Sequence, residues 1–163
     1  MIPDAPYIEI NTQSQRLTVW DRQVILLECS ISTAKNGVGE VQNTDCTPRG
    51  WLKIKAKIGA DHPENSVFVG RRATGEIYTP ALNAQYPQRD WILTRILWLG
   101  GLEPHKNRYG TVDTLRRFIY IHGCPDHCQM GLAESHGCIR TRNTDVVQLF
   151  DMVDVGTKVH VIE

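Results

Sequence analysis

Residues 135–140, with the sequence SHGCIR, bring together side chains that can do covalent chemistry. A cysteine becomes a strong nucleophile when a neighbouring group lowers its pKa or takes its proton, and a histidine is the usual partner. His122 or His136 could serve Cys138 in this way. Gly137 allows a tight turn and a close approach of the backbone, which can aim N–H groups at a developing oxyanion. The segment therefore has the composition of a cysteine acyl-transfer site.

Two other interpretations fit the same residue types. A lone cysteine is often a small buried hydrophobe, and cysteines among histidines often bind zinc. Six possible ligands lie within seventeen residues: His122, Cys124, His127, Cys128, His136 and Cys138. Structural zinc sites favour two ligand pairs joined by a long spacer, and no such pairing is clean here. A structural zinc module is therefore the minor alternative, and we assign no residue as a metal ligand.

The composition limits the classes of partner. With 163 residues the chain is most simply one domain, residues 1–163, with a single core. Eighteen basic side chains balance eighteen acidic ones, so no overall field favours nucleic acid or an anionic membrane. The sequence contains no glycine-rich phosphate-binding motif, so we expect no nucleotide cofactor, and no other cofactor is predicted.

The first residues, MIPDAP, contain neither the basic region nor the apolar stretch of a signal peptide. We therefore expect a cytoplasmic protein, with a periplasmic location as the alternative if a signal peptide has been removed. The longest apolar runs, at 24–27 and 96–99, are far too short to cross a bilayer, so no membrane insertion is expected. Five cysteines, an odd number without a framework spacing, suit free thiols in a reducing compartment.

Alternating apolar and polar residues predict a mainly β protein. The predicted strands cover residues 7–11, 16–20, 24–31, 51–58, 91–99, 118–121 and 158–162. The runs at 91–99 and 118–121 are strongly apolar, and we expect them to be central strands, with His122 at the end of the second. Asn143 or Thr144 is the predicted N-cap of a helix with an apolar face.

Residues 59–88 break this pattern with polar and proline-containing stretches around a short apolar piece, 66–69. A long irregular excursion in a compact domain is more often a binding loop or lid than a filler. It contains Arg71 and Arg72, and an arginine can grip a carboxylate through two parallel N–H bonds. Adjacent arginines on a loop are usually just solvated, and a substrate-binding role for Arg71 is the alternative that we carry forward.

The order of several motifs resembles the L,D-transpeptidase catalytic domain family, the YkuD type. The sequence YIHG at 120–123 precedes SHGCIR, and an Asn and an Asp follow within 143–145. Upstream, the turn TPRG at 47–50 leads into a strand, also in the family's order. The resemblance covers almost the whole chain. It implies a mainly β fold of sandwich-like sheets with a helix after the cysteine motif.

The resemblance also implies roles for individual residues. Cys138 would be the acylated nucleophile and His122 the base that takes its proton, while His136 belongs to the same catalytic motif. A backbone carbonyl within 135–137 would orient the imidazole. The N–H groups of Gly137 and Cys138 would form the oxyanion hole.

Five further positions complete the predicted site. Ser135 lies in the catalytic motif. The predicted substrate-binding residues are Arg140, Gly123, Tyr120 and Arg71. Arg140 would brace the site or pair with a substrate carboxylate.

The substrate implied by the resemblance is a peptidoglycan stem peptide or a muropeptide. Cys138 would attack the carbonyl of residue three, release D-alanine and leave a thioester. Water as the acceptor makes an L,D-carboxypeptidase. An amine makes a transpeptidase that forms 3-3 cross-links or exchanges D-amino acids. Because a cytoplasmic location is expected, we favour the carboxypeptidase, acting in murein recycling. Acylating inhibitors of the carbapenem type are the other expected partners.

The sequence CPDHC at 124–128 departs from the family pattern, in which this connection commonly carries small or polar residues. The two extra cysteines and the histidine fit a harmless loop, a redox-sensitive thiol pair or an adventitious metal site. We favour the harmless loop.

Overall fold

A computed structural model describes residues 2–163. It contains ten strands: β1 (Tyr7–Asn11), β2 (Arg16–Asp21), β3 (Val24–Ser30), β4 (Gly50–Ile58), β5 (Ser66–Val69), β6 (Arg72–Ile77), β7 (Ile92–Gly101), β8 (Tyr120–Gly123), β9 (Ile139–Thr141) and β10 (Lys158–Ile162). The α-helices are α1 (Pro80–Gln85) and α2 (Asn143–Met152), and a 3-10 turn covers Gly110–Val112. The prediction of a mainly β protein with a helix after the cysteine motif is confirmed.

The strands form one mixed sheet with the order β3-β2-β1-β10-β4-β7-β5-β6 along its main path. β8 pairs with β7, and β9 adds to β8 in parallel orientation. The other parallel pair joins β1 to β10, so strands from the two ends of the chain lie side by side. β7 pairs with β4, β5 and β8, which makes it the strand on which the site strands rest. Neither α-helix within residues 2–163 has the length and apolar character needed to cross a bilayer.

The main core lies on one face of this sheet, against α2. Leu97 and Leu99 of β7 pack there together with Ile121 of β8 and Ile139 of β9. Each buried side chain of this size contributes about 1.5–3 kcal/mol to folding. Because side chains alternate along a strand, placing Ile121 and Ile139 in this core turns their neighbours to the opposite face. The catalytic motif residues are therefore directed away from the main core.

Residues 59–88 are not an irregular excursion, so that prediction is wrong. β5 and β6 form a hairpin, and α1 follows it. The hairpin has no clear sequence signal because β6 is exposed at nearly every position and shows no apolar alternation. α1 has only six residues, too few for a helical period to show.

The predicted cap of α2 is also wrong. The N-cap is Arg142, and its side chain makes no capping hydrogen bond. Asn143 instead accepts a hydrogen bond from Thr94 Oγ1 at 2.7 Å and donates to Asn65 Oδ1 at 2.9 Å. Thr94 has a φ of 75°, at the point where β7 shifts its register against β8. This buried network holds a bulge beside the strand that carries His122.

Candidate active site

The parallel pairing of β8 with β9 joins the two halves of the site. His122 lies opposite Arg140 across this pair. Because side chains alternate, Cys138, just before β9, falls on the same face as these two residues. The backbone N–H of Tyr120 donates to Cys138 Sγ at 3.4 Å, which fixes the alignment. The side chains of β8 and of the segment 138–140 thus form one continuous surface, the wall of the site.

A cavity of about 470 Å³ opens over this wall. Seven of the predicted site residues line it: Arg71, Tyr120, His122, Ser135, His136, Cys138 and Arg140. Arg71 reaches the same cavity from the turn between β5 and β6. Gly123 and Gly137 are buried behind these side chains. The structure therefore brings together the residues that the sequence motifs indicated.

His122 is a buried, neutral base. Its Nδ1 lies 2.7 Å from the carbonyl oxygen of Gly123. A carbonyl only accepts hydrogen bonds, so Nδ1 carries the hydrogen and Nε2 keeps its lone pair. Burial lowers the pKa of His122 more than this hydrogen bond raises it. The prediction that a carbonyl within 135–137 orients the imidazole is wrong, because the carbonyl of the next residue in β8 does so.

Cys138 is a protonated thiol in the resting site. Its Sγ donates to the carbonyl oxygen of Phe118 at 3.3 Å and accepts from the N–H of Tyr120. Burial raises the pKa of the thiol to about 12, although nearby arginines and the N–H of Tyr120 act in the opposite direction. Within residues 2–163 the thiol makes no hydrogen bond to His122. The thiol must therefore turn away from Phe118 before its proton can pass to the base.

Two hydroxyl groups hold the backbone around the nucleophile. Ser135 Oγ donates to the carbonyl oxygen of Cys138 at 2.5 Å, and Thr47 Oγ1 donates to that of Gly137 at 3.0 Å. Thr47 Oγ1 is itself fixed by the N–H of Ala34 at 3.0 Å. In a trans peptide the N–H points away from the carbonyl oxygen. By holding the carbonyl of Gly137, Thr47 therefore sets the direction of the Cys138 N–H.

Only one of the two predicted oxyanion-hole donors is available. The N–H of Gly137 donates to Ser135 Oγ at 3.2 Å. The N–H of Cys138 has no acceptor in the described part of the chain, so it is available for a substrate oxygen. Gly137 has a φ of 129°, which residues with a side chain rarely adopt. The glycine is thus required by the turn that presents this donor.

Asp90 belongs to the site but was not predicted. Its Oδ1 accepts from Arg140 Nη2 at 3.0 Å, and its Oδ2 lies 3.7 Å from His136 Nδ1. Arg140 is therefore braced by a carboxylate. The side chain of His136 is 68% exposed at the cavity rim, so the buried His122 is the better placed base, and a catalytic role for His136 stays a prediction. Asp90 lies in a polar loop, and nothing in the local sequence indicates its contact with Arg140.

Arg71 is held over the cavity by aromatic side chains. Its Nη1 donates to the hydroxyl of Tyr120 at 2.9 Å. Its guanidinium lies 4.6 Å from the centroid of the Trp98 ring and 5.0 Å from that of Phe118. Arg117, which was not among the predicted site residues, lines the same cavity. Substrate binding by Arg71 stays a prediction.

Cys124 and Cys128 lie outside the cavity that contains Cys138. Cys124 is buried and donates to the carbonyl of Thr141 at 3.3 Å. Interaction with the Cys124 side chain lowers the pKa of Cys128, and the charges of Arg140 and Arg142 act in the same direction. Both thiols are free. Among residues 2–163, no three His, Cys, Asp or Glu side chains are placed to hold a metal ion, so this geometry gives no support to the zinc alternative.

One cavity wall carries a thiol, a neutral imidazole with one free nitrogen and an unoccupied backbone N–H. A cysteine acyltransferase uses these three groups. The family profile described as YkuD, L,D-transpeptidase catalytic domain, matches residues 5–161. The chain belongs to this family.

Individual relatives agree with the family match. The probable L,D-transpeptidase YbiS of Escherichia coli is 34% identical over 110 residues, which is 66% of this chain and 35% of YbiS. The putative L,D-transpeptidase YqjB of Bacillus subtilis is 26% identical over 158 residues, covering 97% of this chain and 72% of YqjB. The match to YbiS thus spans about a third of that relative's length.

A solved structure supports the fold. The NMR structure of the catalytic domain from the Enterococcus faecium L,D-transpeptidase, acylated by ertapenem, matches with a TM-score of 0.58 at 20% identity. The match covers 99% of this chain and 100% of that domain.

Proposed function

We propose that the protein is an L,D-carboxypeptidase that forms a thioester with a peptidoglycan stem peptide, releases D-alanine and hydrolyses the thioester. The observation that carries the proposal is the placement of Cys138 and the free Nε2 of His122 on one cavity wall. Family membership supports the acyl-transfer chemistry.

In the first half-reaction, Cys138 Sγ attacks the carbonyl carbon of residue three while its proton passes to His122 Nε2. The oxyanion that forms accepts a hydrogen bond from the N–H of Cys138. The bond from this carbon to the nitrogen of D-alanine then breaks, and His122 gives its proton to the departing amine. The product is a thioester on a neutral site.

In the second half-reaction, water attacks the thioester carbonyl and gives a proton to His122. The carbon–sulfur bond breaks, His122 returns the proton to Sγ, and the shortened stem leaves as a carboxylic acid that loses its remaining proton to solvent. Water has access to the thioester because Cys138 keeps part of its surface open to the cavity.

Transfer to an amine is the second candidate for this step. The names of the relatives, "Probable L,D-transpeptidase YbiS" and "Putative L,D-transpeptidase YqjB", favour it. An amine of another stem would give a 3-3 cross-link, and a D-amino acid would give an exchanged stem.

Mass spectrometry of a disaccharide-tetrapeptide incubated with the protein, with and without an added D-amino acid, tests both reactions. A product lighter by D-alanine alone supports the carboxypeptidase. A dimer or an exchanged terminal residue supports the transpeptidase and overturns the carboxypeptidase. Cys138→Ala should abolish every product, whereas Cys46→Ala, outside the cavity, should not. Absence of all products with the unmodified protein would refute the proposed function.

Acylation by carbapenems is a related proposal, supported by the ertapenem adduct of the E. faecium catalytic domain. Intact-protein mass should rise by one inhibitor in the unmodified protein and in Cys46→Ala. An equal rise in Cys138→Ala would assign the acylation to another residue.

We also propose a cytoplasmic location and recycled muropeptides as substrates, because five free thiols suit a reducing compartment. Cell fractionation with an antibody against the protein tests this. Recovery in the periplasmic fraction would contradict the location and favour a role in the wall.

A further inference from the structure

We propose that Arg71 binds a carboxylate of the stem peptide, so that the cavity selects substrates by a free carboxylate. The inference rests on the proposed function, because the cavity is the one that contains Cys138.

The cavity is positively charged, although the chain as a whole has a formal net charge of zero. Three arginines, Arg71, Arg117 and Arg140, line it against one carboxylate, Asp90, which leaves an excess of two positive charges. A cavity with this excess favours an anionic ligand.

Two of the three arginines are already occupied. Arg140 is paired with Asp90 at 3.0 Å. The guanidinium of Arg117 donates to three backbone carbonyls of the loop before β4, at 2.7, 3.0 and 3.2 Å. Arg71 is therefore the cation that remains for a ligand.

Arg71 is oriented by its surroundings without being neutralised by them. The rings of Trp98 and Phe118 attract its charge, and Tyr120 takes one of its N–H groups. In the part of the chain that the structure describes, no Asp or Glu forms an ion pair with it. A guanidinium has five N–H donors in a fixed fork, so several remain for the two oxygens of a carboxylate.

The backbone at Arg71 also indicates a role for the side chain. Gly70 and Arg71 form the turn of the β5–β6 hairpin, with φ values of 55° and 65°. Glycine or asparagine is the usual residue at such positions, because a larger side chain strains the left-handed backbone. The turn itself does not need an arginine, so the side chain of Arg71 is expected to serve another purpose, such as binding a ligand.

A stem peptide has a carboxylate at its D-alanine terminus and further carboxylates on internal residues. The test therefore uses three tetrapeptides: the free peptide, one amidated at the terminus and one amidated at the internal carboxylates. In the unmodified protein, one of the two amides should lower kcat/KM by about 10- to 100-fold, the value of a charge-assisted contact. The amide that does so identifies the carboxylate.

Variants assign this preference to Arg71. Arg71→Gln should lower kcat/KM for the free peptide by the same factor, with little further loss on the discriminating amide. Arg71→Lys keeps the charge without the fork and should recover only part of the activity. Arg72→Gln is the matched control, because Arg72 is exposed on β6 and outside the cavity. Equal discrimination by Arg71→Gln and the unmodified protein, or no discrimination by either, would overturn the inference.

Calorimetric binding of the same peptides to Cys138→Ala separates this inference from the proposed reaction. Tighter binding of the free peptide, lost in the double variant with Arg71→Gln, supports carboxylate recognition even if no D-alanine is released. Equal binding of all three peptides refutes the recognition and leaves the reaction to be judged by its products.

Discussion

Cys138 and His122 are both uncharged in the resting site, and burial is the cause in each case. The site therefore does not store a thiolate beside an imidazolium. In the proposed reaction, charge forms when the thiol turns from Phe118 and gives its proton to His122 during the attack. The guanidinium of Arg140 lowers the pKa of the thiol and so favours the thiolate as it forms. The reactive thiolate of the proposed reaction therefore forms during the attack and is not present beforehand.

The pH dependence of activity should reflect this arrangement. We expect kcat/KM to fall on the acid side only below pH 6.5, the ordinary pKa of histidine, because burial lowers the pKa of His122. As the pH falls through that lowered pKa, His122 gains a proton and can no longer accept one from Cys138. Initial rates of D-alanine release at about pH 5–9 measure this. An acid limb centred above pH 6.5 would contradict the assignment of a buried neutral base.

Thr47 should affect the rate through the direction of the Cys138 N–H. Thr47→Val keeps the shape but leaves the carbonyl of Gly137 without its donor. We expect kcat to fall by about 10- to 100-fold and the free energy of unfolding to fall by about 1–3 kcal/mol. D-alanine release and urea unfolding measure the two effects.

Thr44→Val is the control for this prediction, because Thr44 is exposed in the same loop and, within residues 2–163, its hydroxyl bonds only to the carbonyl of Val41. It should change neither quantity appreciably. If Thr47→Val lost stability with an unchanged kcat, Thr47 would support the loop without positioning the donor.

At the scale of elements, the parallel contact of β8 with β9 decides which residues meet. The types and order of residues were enough to predict that Cys138 and His122 lie in one site, because both lie in short motifs of glycine, histidine and cysteine. The central strands were predictable from their apolar alternation. The contacts of Asp90 and Thr47 were not, since they depend on how segments far apart in the chain pack. Thr47 and Gly137 are ninety residues apart.

The same reasoning explains the incorrect N-cap of α2. A capping preference describes a helix end in water, whereas Asn143 is drawn into a buried network with Thr94 and Asn65. A tertiary hydrogen bond therefore replaced the local one. The sequence near the helix contains no trace of either partner.

Gly123→Ala tests the packing of β8 beside this network. A methyl group there would overlap the side chain of Asn143 and lie 2.8 Å from the carbonyl of Leu93. We expect the free energy of unfolding to fall by about 1–3 kcal/mol. D-alanine release should also fall in the folded variant, because the displaced carbonyl no longer orients His122. Urea unfolding and initial rates measure the two effects.

Gly100→Ala, in β7, is the matched control. Its methyl group would lie 3.5 Å from Leu115, an ordinary contact, so stability should change by less than about 1 kcal/mol. If Gly123→Ala were as stable and active as this control, the close packing at β8 would have no role in holding the base.

In the molecule as a whole, β10 connects two parts of the sheet that are otherwise not paired with each other along the main path. β10 is the last strand of the chain, yet it lies between β1 and β4 in the sheet. Its Val159 and Val161 belong to the main core. The sheet therefore depends on a segment at the extreme end of the sequence.

Removal of residues 158–163 should abolish the cooperative fold. The deletion would separate β1 from β4 and remove buried valines from the core. Circular dichroism during urea unfolding should show no cooperative transition. Removal of residues 2–4, which precede β1, is the control and should leave the transition nearly unchanged. A cooperative transition in the C-terminal deletion would show that the remaining strands close the sheet alone.

The place of β10 also has a consequence for biosynthesis. A ribosome makes β1 and β4 before β10, so in a nascent chain each of these two strands has one unpaired edge until β10 has been made. Unpaired strand edges readily pair with other chains. Until β10 pairs with both strands, the newly made chain should therefore be prone to association with other chains through these edges.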